Sequence, residues 1–426
     1  MQKDLGADKM WDVAVIGGGP AGMMAAGRAA KLGASVILIE KNKTLGKKLL
    51  ITGGGRCNVT NAELNDKKLL AKFKESGKFL FSPFSQWSVQ ESLDFFHARN
   101  MPTKEEAEQR VFPLSNTAQS VWDTLVTYIK ESNVTILSNT PVVKLHAANG
   151  RITAIELRSG KMLRAKSYIL ATGGKSHQET GSTGDGYMWL RELGHTVSEA
   201  SAALVPVALY EPARAAAGVS IRNAKVTLFQ NDIKQAQKIG KILFTHVGLS
   251  GPCILNMSRD IGELLKYGAV DIEIDLLPDM GYEKVNEGLQ TAFKGNTNKR
   301  IKNSLKDLFP PALVPYVLGL AGIDPETSCN NVTRDARVRL MKTLKHLRFE
   351  AKQLLGMDKA VITAGGVALT EIDFKTMRSL KYTNLYLVGD ILNIDRPSGG
   401  YSLQLCWTTG FVAGTAAAKY AGDVSA

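Results

Sequence analysis

Three glycines and one acid carry the clearest chemistry in the chain. Gly17-x-Gly19-x-x-Gly22 is followed, eighteen residues after the last glycine, by Glu40, close to the spacing of about 20 that a dinucleotide fingerprint uses. Gly17 permits a tight turn, Gly19 lets backbone approach a pyrophosphate, and Gly22 lets a helix pack closely on a strand. A helix starting at Pro20 and Ala21 offers unpaired N–H groups and partial positive charge to phosphates. Glu40 can accept hydrogen bonds from ribose hydroxyls, which favours FAD or NAD over NADP. The elements these residues need are present: a β-like run at Val13–Ile16, an Ala-rich helical run ending near Gly33, and a second β-like run at Ser35–Ile39. Together they predict one βαβ unit, a context that an ordinary glycine-rich turn lacks.

Two later β-like runs end in small or acidic residues. SYILATGG closes with Ala171, Thr172 and Gly173, and NLYLVGD closes with Gly389 and Asp390. Both resemble the later motifs of two-dinucleotide-binding-domain flavoproteins, and this implies FAD in place of NAD. The resemblance implies that the first run closes a strand over the cofactor and that the second sets an acid near its ribityl or pyrophosphate part. Val142 and Val143, in TPVVKL, stand where such flavoproteins give adenine a backbone contact.

A narrower resemblance rests on GKKLLITGGGRCNVTN at Gly46–Asn61, RVFP from Arg110, LFTHVGLSGP from Leu243, TAGGV from Thr363 and SGGYSLQ from Ser398. These segments resemble the BaiN-like, aminoacetone-oxidase-like family of FAD-dependent oxidoreductases, across nearly the whole chain. The resemblance implies an α/β fold: a discontinuous Rossmann-like FAD domain, interrupted by a β-rich domain that is itself interrupted by a helical one. Pattern changes along the chain set the expected boundaries. The FAD domain spans 1–193 and 370–426, the β-rich domain 194–280 and 348–369, and the helical insert 281–347. Ser402 stands where the family pattern has Asn, and Asn393 where an acid is common.

FAD carries the redox step while the protein supplies orientation, charge and protons. Gly53, Gly54 and Gly55 let backbone come near the isoalloxazine or the phosphates, with Thr52, Arg56 and Asn58 as polar neighbours and Lys41 and Lys48 as further cofactor contacts. Gly400, Tyr401 and Ser402 open a helical run whose N-terminus can stabilise negative charge on reduced flavin. Cys57 has two readings. A free cysteine is usually a small buried hydrophobe, yet beside Arg56 in a flavin loop its thiol can protonate the carbon next to the one receiving hydride. Arg56 can bind phosphate or a substrate carbonyl. His246 is either an acid or base, or a turn histidine.

The chain has 426 residues with 53 Lys and Arg against 40 Asp and Glu, a net charge of +13. Between Lys294 and Lys352 twelve cations face five acids, a net +7, which is the footprint of a polyanion partner or of a solvated basic surface. The family resemblance implies three substrate classes: a uridine of ribosomal RNA, aminoacetone and unsaturated steroid-like acids. On the first reading the basic insert favours ribosomal RNA as partner, with reduced FAD delivering hydride to uridine C6 and Cys57 protonating C5. A small-molecule substrate, for a reductase or an aminoacetone-like oxidase, is expected on the second. A flavin-bound binding protein without turnover is a third possibility. NAD(P)H is the expected transient reductant, although no second dinucleotide fingerprint provides it a domain. Cys57, Cys253, Cys329 and Cys406 show no C-x-x-C spacing and the six histidines are scattered, so neither a redox dithiol nor a metal site is expected. The absence of a signal-peptide pattern and of an apolar run approaching roughly 18 residues predicts a cytoplasmic protein without a membrane span.

Overall fold

In the computed structural model, which describes residues 9–306, 308–356, 360 and 362–424, the chain forms two compact units. One is built from the two ends of the chain and the other from Ala203–Ala360.

The first unit is organised on a seven-stranded sheet. Its strands are β1 (Met10–Ile16), β2 (Val36–Ile39), β3 (Thr135–Leu137), β4 (Val142–Ala148), β5 (Arg151–Leu157), β6 (Met162–Leu170) and β7 (Leu385–Leu387). The order is β3-β2-β1-β6-β5-β4, with β7 also paired to β6. β1 runs parallel to β2 and β6, and β7 runs parallel to β6. Ile16 is in register with both Ile39 and Leu170, so the carboxyl ends of the central strands finish level. Val13, Ala14, Val15, Ile37 and Leu38 have no solvent exposure, as central parallel strands covered on both faces require.

Four helices of this unit matter for the site: α1 (Pro20–Lys31), α2 (Lys47–Ile51), α3 (Asp185–Glu192) and α4 (Tyr401–Asp423). Small residues on α1 and α4 let the two backbones approach. A Cβ on Gly410 would lie 2.5 Å from the Ala21 carbonyl oxygen, and one on Gly414 would lie 2.5 Å from that of Ala25.

The second unit contains a closed six-stranded barrel of Val207–Leu209, Gly248–Ser250, Ile233–Phe244, Ser220–Gln230, Val270–Asp275 and Leu347–Leu354. Between its last two strands lie helices Tyr282–Lys294, Ile301–Ser304, Val314–Leu320 and Arg334–Lys345. Lys345, 8 % exposed, pairs at 2.7 Å with Asp275, 2 % exposed, and ties the last helix to the barrel.

The unit borders fall at 202/203 and 360/361, inside the expected 193/194 and 369/370. The flanking segments hold to each other: Ala368 N–H donates to the Thr196 carbonyl at 2.9 Å, and Glu371 accepts from the Thr196 backbone and hydroxyl. These pairings are remote in sequence, where a pattern change along the chain does not register them.

Candidate functional site

The sheet gathers its loops at one edge. Beyond β1, Gly17 N–H donates to the Ile39 carbonyl at 2.8 Å. A Cβ at Gly17 would lie 2.4 Å from the Ala171 carbonyl oxygen, and one at Gly22 1.9 Å from that of Gly17. Both glycines are therefore set by packing. At Gly19, the N-cap of α1, a Cβ would meet nothing within 4 Å; its face is open.

A cleft open to solvent lies along this edge. It is lined by Gly17, Gly19, Pro20 and Ala21 after β1, Glu40 and Lys41 after β2, and Lys48 and Thr52 from α2 and the turn beyond it. Ala171, Thr172 and Gly173 after β6, Gly389 and Asp390 after β7, and Ser402 on α4 complete the set of expected residues in it.

Several charged groups along the cleft are engaged within the chain. Glu40, 8 % exposed, accepts from Gly18 N–H and Asn42 N–H at 2.8 Å each. Lys41 pairs with Asp185 at 2.8 Å and donates to Thr183 at 2.5 Å. Burial works against ionised Asp185, but Lys41 and Thr183 outweigh it and hold the carboxyl below its usual range. Asp390 is in the same position: burial opposes its charge, while Arg396 and Lys48 prevail and keep its carboxyl low.

FAD fits these residues. Neither α1 nor α4 has a side-chain hydrogen bond at its N-cap, leaving orphan N–H groups at both helix starts. Thr172 Oγ1, on the cleft wall, is buried without a hydrogen-bond partner, a state native proteins rarely leave unsatisfied.

Several expected residues lie elsewhere. Val143 sits at a register shift in β4, and its carbonyl accepts from Trp189 Nε1 at 3.0 Å, while Val142 lines the cleft. Gly53, Gly54 and Gly55 take left-handed φ of 59°, 68° and 83° in a turn that leaves the cleft at Thr52. Asn58 follows with its Oδ1 buried and unpartnered. Gly400 is fixed by close approach, since a Cβ there would lie 2.3 Å from the Thr60 carbonyl. Tyr401 packs edge-on to Phe73.

Neither Arg56 nor Cys57 lines the cleft. The Arg56 guanidinium is taken by Glu106 at 2.5 Å and Asn116 at 2.6 Å, over the Phe112 ring. Cys57 has no exposure and belongs to the hydrophobic core. Burial pushes its thiol from 9.0 to about 12, against a hydrogen bond with Thr52. Of the two readings of Cys57, its burial agrees with the small buried hydrophobe and not with a thiol facing the flavin. His246 is in the second unit, exposed in the turn between Phe244 and Gly248.

Trp189, Cys406 and the 180–185 segment, all on the cleft wall, were not anticipated from the sequence, and neither was Arg396. The run GSTGDGY at 181–187, with its small residues after a strand end, was a readable signal for the segment. A lone Arg396 offered none.

The chain matches the model of the HI0933-like protein Rossmann domain over residues 11–416. The chain belongs to the HI0933-like family. This is the FAD-dependent oxidoreductase family that the glycine-loop segments resemble, and the protein is an FAD-dependent oxidoreductase of that family. It is 32 % identical over 413 residues to a 3-dehydro-bile acid delta(4,6)-reductase of Clostridium scindens, covering 96 % of this chain and 99 % of that one. It is 29 % identical over 409 residues to a ribosomal RNA dihydrouridine synthase of Escherichia coli, covering 94 % and 96 %. In fold it is similar to an open flavocytochrome c3 fumarate reductase, with TM-score 0.56, 17 % identity, and coverage of 97 % of this chain and 79 % of that one. It is likewise similar to a 3-ketosteroid-delta4-(5alpha)-dehydrogenase of Rhodococcus jostii RHA1, with TM-score 0.55, 15 % identity and 98 % coverage of both. Among the described residues of this HI0933-like chain, no helix is long and apolar enough to cross a membrane.

Proposed function

We propose that the protein reduces a carbon–carbon double bond conjugated to a carbonyl, with NAD(P)H as the donor. One observation carries this reading: relatives named for two different substrates match nearly end to end, and those substrates share one chemistry. The 5,6 double bond of uracil is conjugated to its 4-carbonyl, as the unsaturation of a 3-oxo steroid acid is to its 3-carbonyl. Bound FAD supplies hydride at N5. The chain's part is to hold the dinucleotide through the cleft: the α1 N-terminus and Gly19 suit the pyrophosphate, and Glu40 the ribose. Reduction consumes one NAD(P)H and one proton per double bond. The buried position of Cys57 argues for a proton source other than its thiol.

For the substrate we propose a uridine of ribosomal RNA. Two relatives named as ribosomal RNA dihydrouridine synthases, of Escherichia coli and Haemophilus influenzae, support it, as do the exposed cations Lys294, Lys299, Arg334 and Lys342. A free small-molecule enone is the second reading, favoured by the bile acid reductase relative. It is also favoured by the engagement of other insert cations with their own chain, namely Arg300 and Lys302 with Glu326, Arg337 with Asn286 and Arg339 with the Ala321 carbonyl. The deciding experiment is the dihydrouridine content of ribosomal RNA from cells lacking the protein. Loss of one modified position supports the RNA substrate, and an unchanged content removes it in favour of the small molecule.

A further inference from the structure

Arg396 is buried, with 2 % exposure, and each of its three nitrogens is engaged. Nε donates to Ser402 Oγ at 2.9 Å, Nη1 to the Ile394 carbonyl at 2.8 Å, and Nη2 to Asp390 Oδ1. Its two side-chain partners both line the cleft. The departure at Ser402 from the family's Asn thus has a local use, because the serine hydroxyl is the acceptor for Nε.

The other Asp390 oxygen is differently placed. Oδ2 lies 3.7 Å from Lys48 Nζ, past hydrogen-bond length, while Lys48 donates to Ser176 Oγ at 2.6 Å. That leaves Oδ2 with acceptor capacity in the cleft wall. We propose that Arg396 is a positioning residue for the cofactor: its planar fork clamps Asp390 to Ser402 and so presents Asp390 Oδ2 to a hydroxyl of bound FAD. The proposal rests on the FAD assignment and adds to it the residue that aims the acid.

The groups facing Asp390 are few. They are Arg396, Lys48 on α2, the Cys406 thiol on α4, and Tyr187 on α3, whose hydroxyl donates to the Asp390 carbonyl at 2.9 Å. A buried carboxylate deprived of its cation takes up a proton, so removal of the guanidinium should make cofactor binding depend on pH.

The test is titration of FAD into apoprotein of the full chain, between about pH 6 and about pH 8.5, with melting curves recorded alongside. Wild type should give a flat profile. Arg396→Gln should bind more weakly throughout and progressively more weakly as pH falls. Arg396→Lys keeps the charge but loses the fork, so its profile should stay flat with affinity about tenfold lower. A flat Arg396→Gln profile parallel to wild type overturns the proposal. Should Arg396→Gln fail to fold, Arg396→Lys decides alone, and wild-type affinity or a sloping profile in it overturns the proposal. Failure of the wild-type chain to bind FAD would instead strike the cofactor assignment.

Discussion

Glu40 Oε2 accepts a hydrogen bond from Gly18 N–H at 2.8 Å, so the acid that follows β2 braces the glycine turn that follows β1. Glu40→Gln weakens this brace and the one to Asn42 N–H. The apoprotein should lose about 1–3 kcal/mol of stability, measured by denaturant unfolding, and FAD affinity should fall as well. A variant as stable as wild type would mean that the two bonds contribute nothing net.

Gly19 and Gly22 should respond in opposite ways. Gly19 has an ordinary φ of −77° and open space where a side chain would go, so Gly19→Val should fold normally and lose FAD through obstruction of the pyrophosphate site. Gly22→Val drives its side chain into the Gly17 carbonyl and should destabilise the apoprotein by about 3 kcal/mol or more. Absorbance of the purified variants and their melting curves separate the two effects. A fully flavinated Gly19→Val protein contradicts the site.

Cys57→Ala should retain FAD and substrate reduction, at a stability cost of about 1–2 kcal/mol, because its thiol packs in the core. The raised thiol also sets a pH dependence. The folded state keeps a proton that the unfolded state loses above 9.0, so this stability is complete below 9.0 and disappears as pH rises through about 12. Cys406 behaves alike, its thiol pushed to about 12 by burial and the Asp390 charge. Denaturation midpoints measured on the alkaline side should fall less steeply in Cys57→Ala. Abolished substrate reduction in a folded, flavinated Cys57→Ala protein would restore the catalytic reading.

The backbone of the cleft was legible in the sequence because it depends on local spacing: glycines at fixed offsets in one turn, an acid at the end of the next strand, and small residues at later strand ends. Burial and pairing across hundreds of residues were not. Cys57 follows a polar glycine run in sequence, yet faces a core assembled from remote elements. Of the neighbouring Val142 and Val143, only Val142 lines the cleft, and the register shift in β4 beside them could not be read from the sequence. Arg396 acquires its importance only through Asp390 and Ser402, six residues away on either side.

The insert should be tested with cations that are exposed. Arg337 and Arg339 each hold a hydrogen bond within their own unit, so reversing them risks the fold. Lys299→Glu with Arg334→Glu and Lys342→Glu should leave the melting temperature nearly unchanged. Ribosomal RNA affinity should fall, with the log–log salt slope reduced by about 0.7–0.9 for each phosphate no longer neutralised. An unaltered slope, or no RNA binding by the parent protein at low salt, favours the small-molecule substrate.

The most direct measurement is the oxidative half-reaction. Enzyme-bound FAD is reduced anaerobically, then mixed with unmodified ribosomal RNA or with a 3-oxo-4-ene steroid acid, and both flavin colour and product mass are followed. One of these substrates should restore the oxidised flavin spectrum, with one double bond saturated per FAD. Flavin that stays reduced with both, while an amine reduces the oxidised enzyme, would contradict the assignment of a conjugated double bond as the electron acceptor.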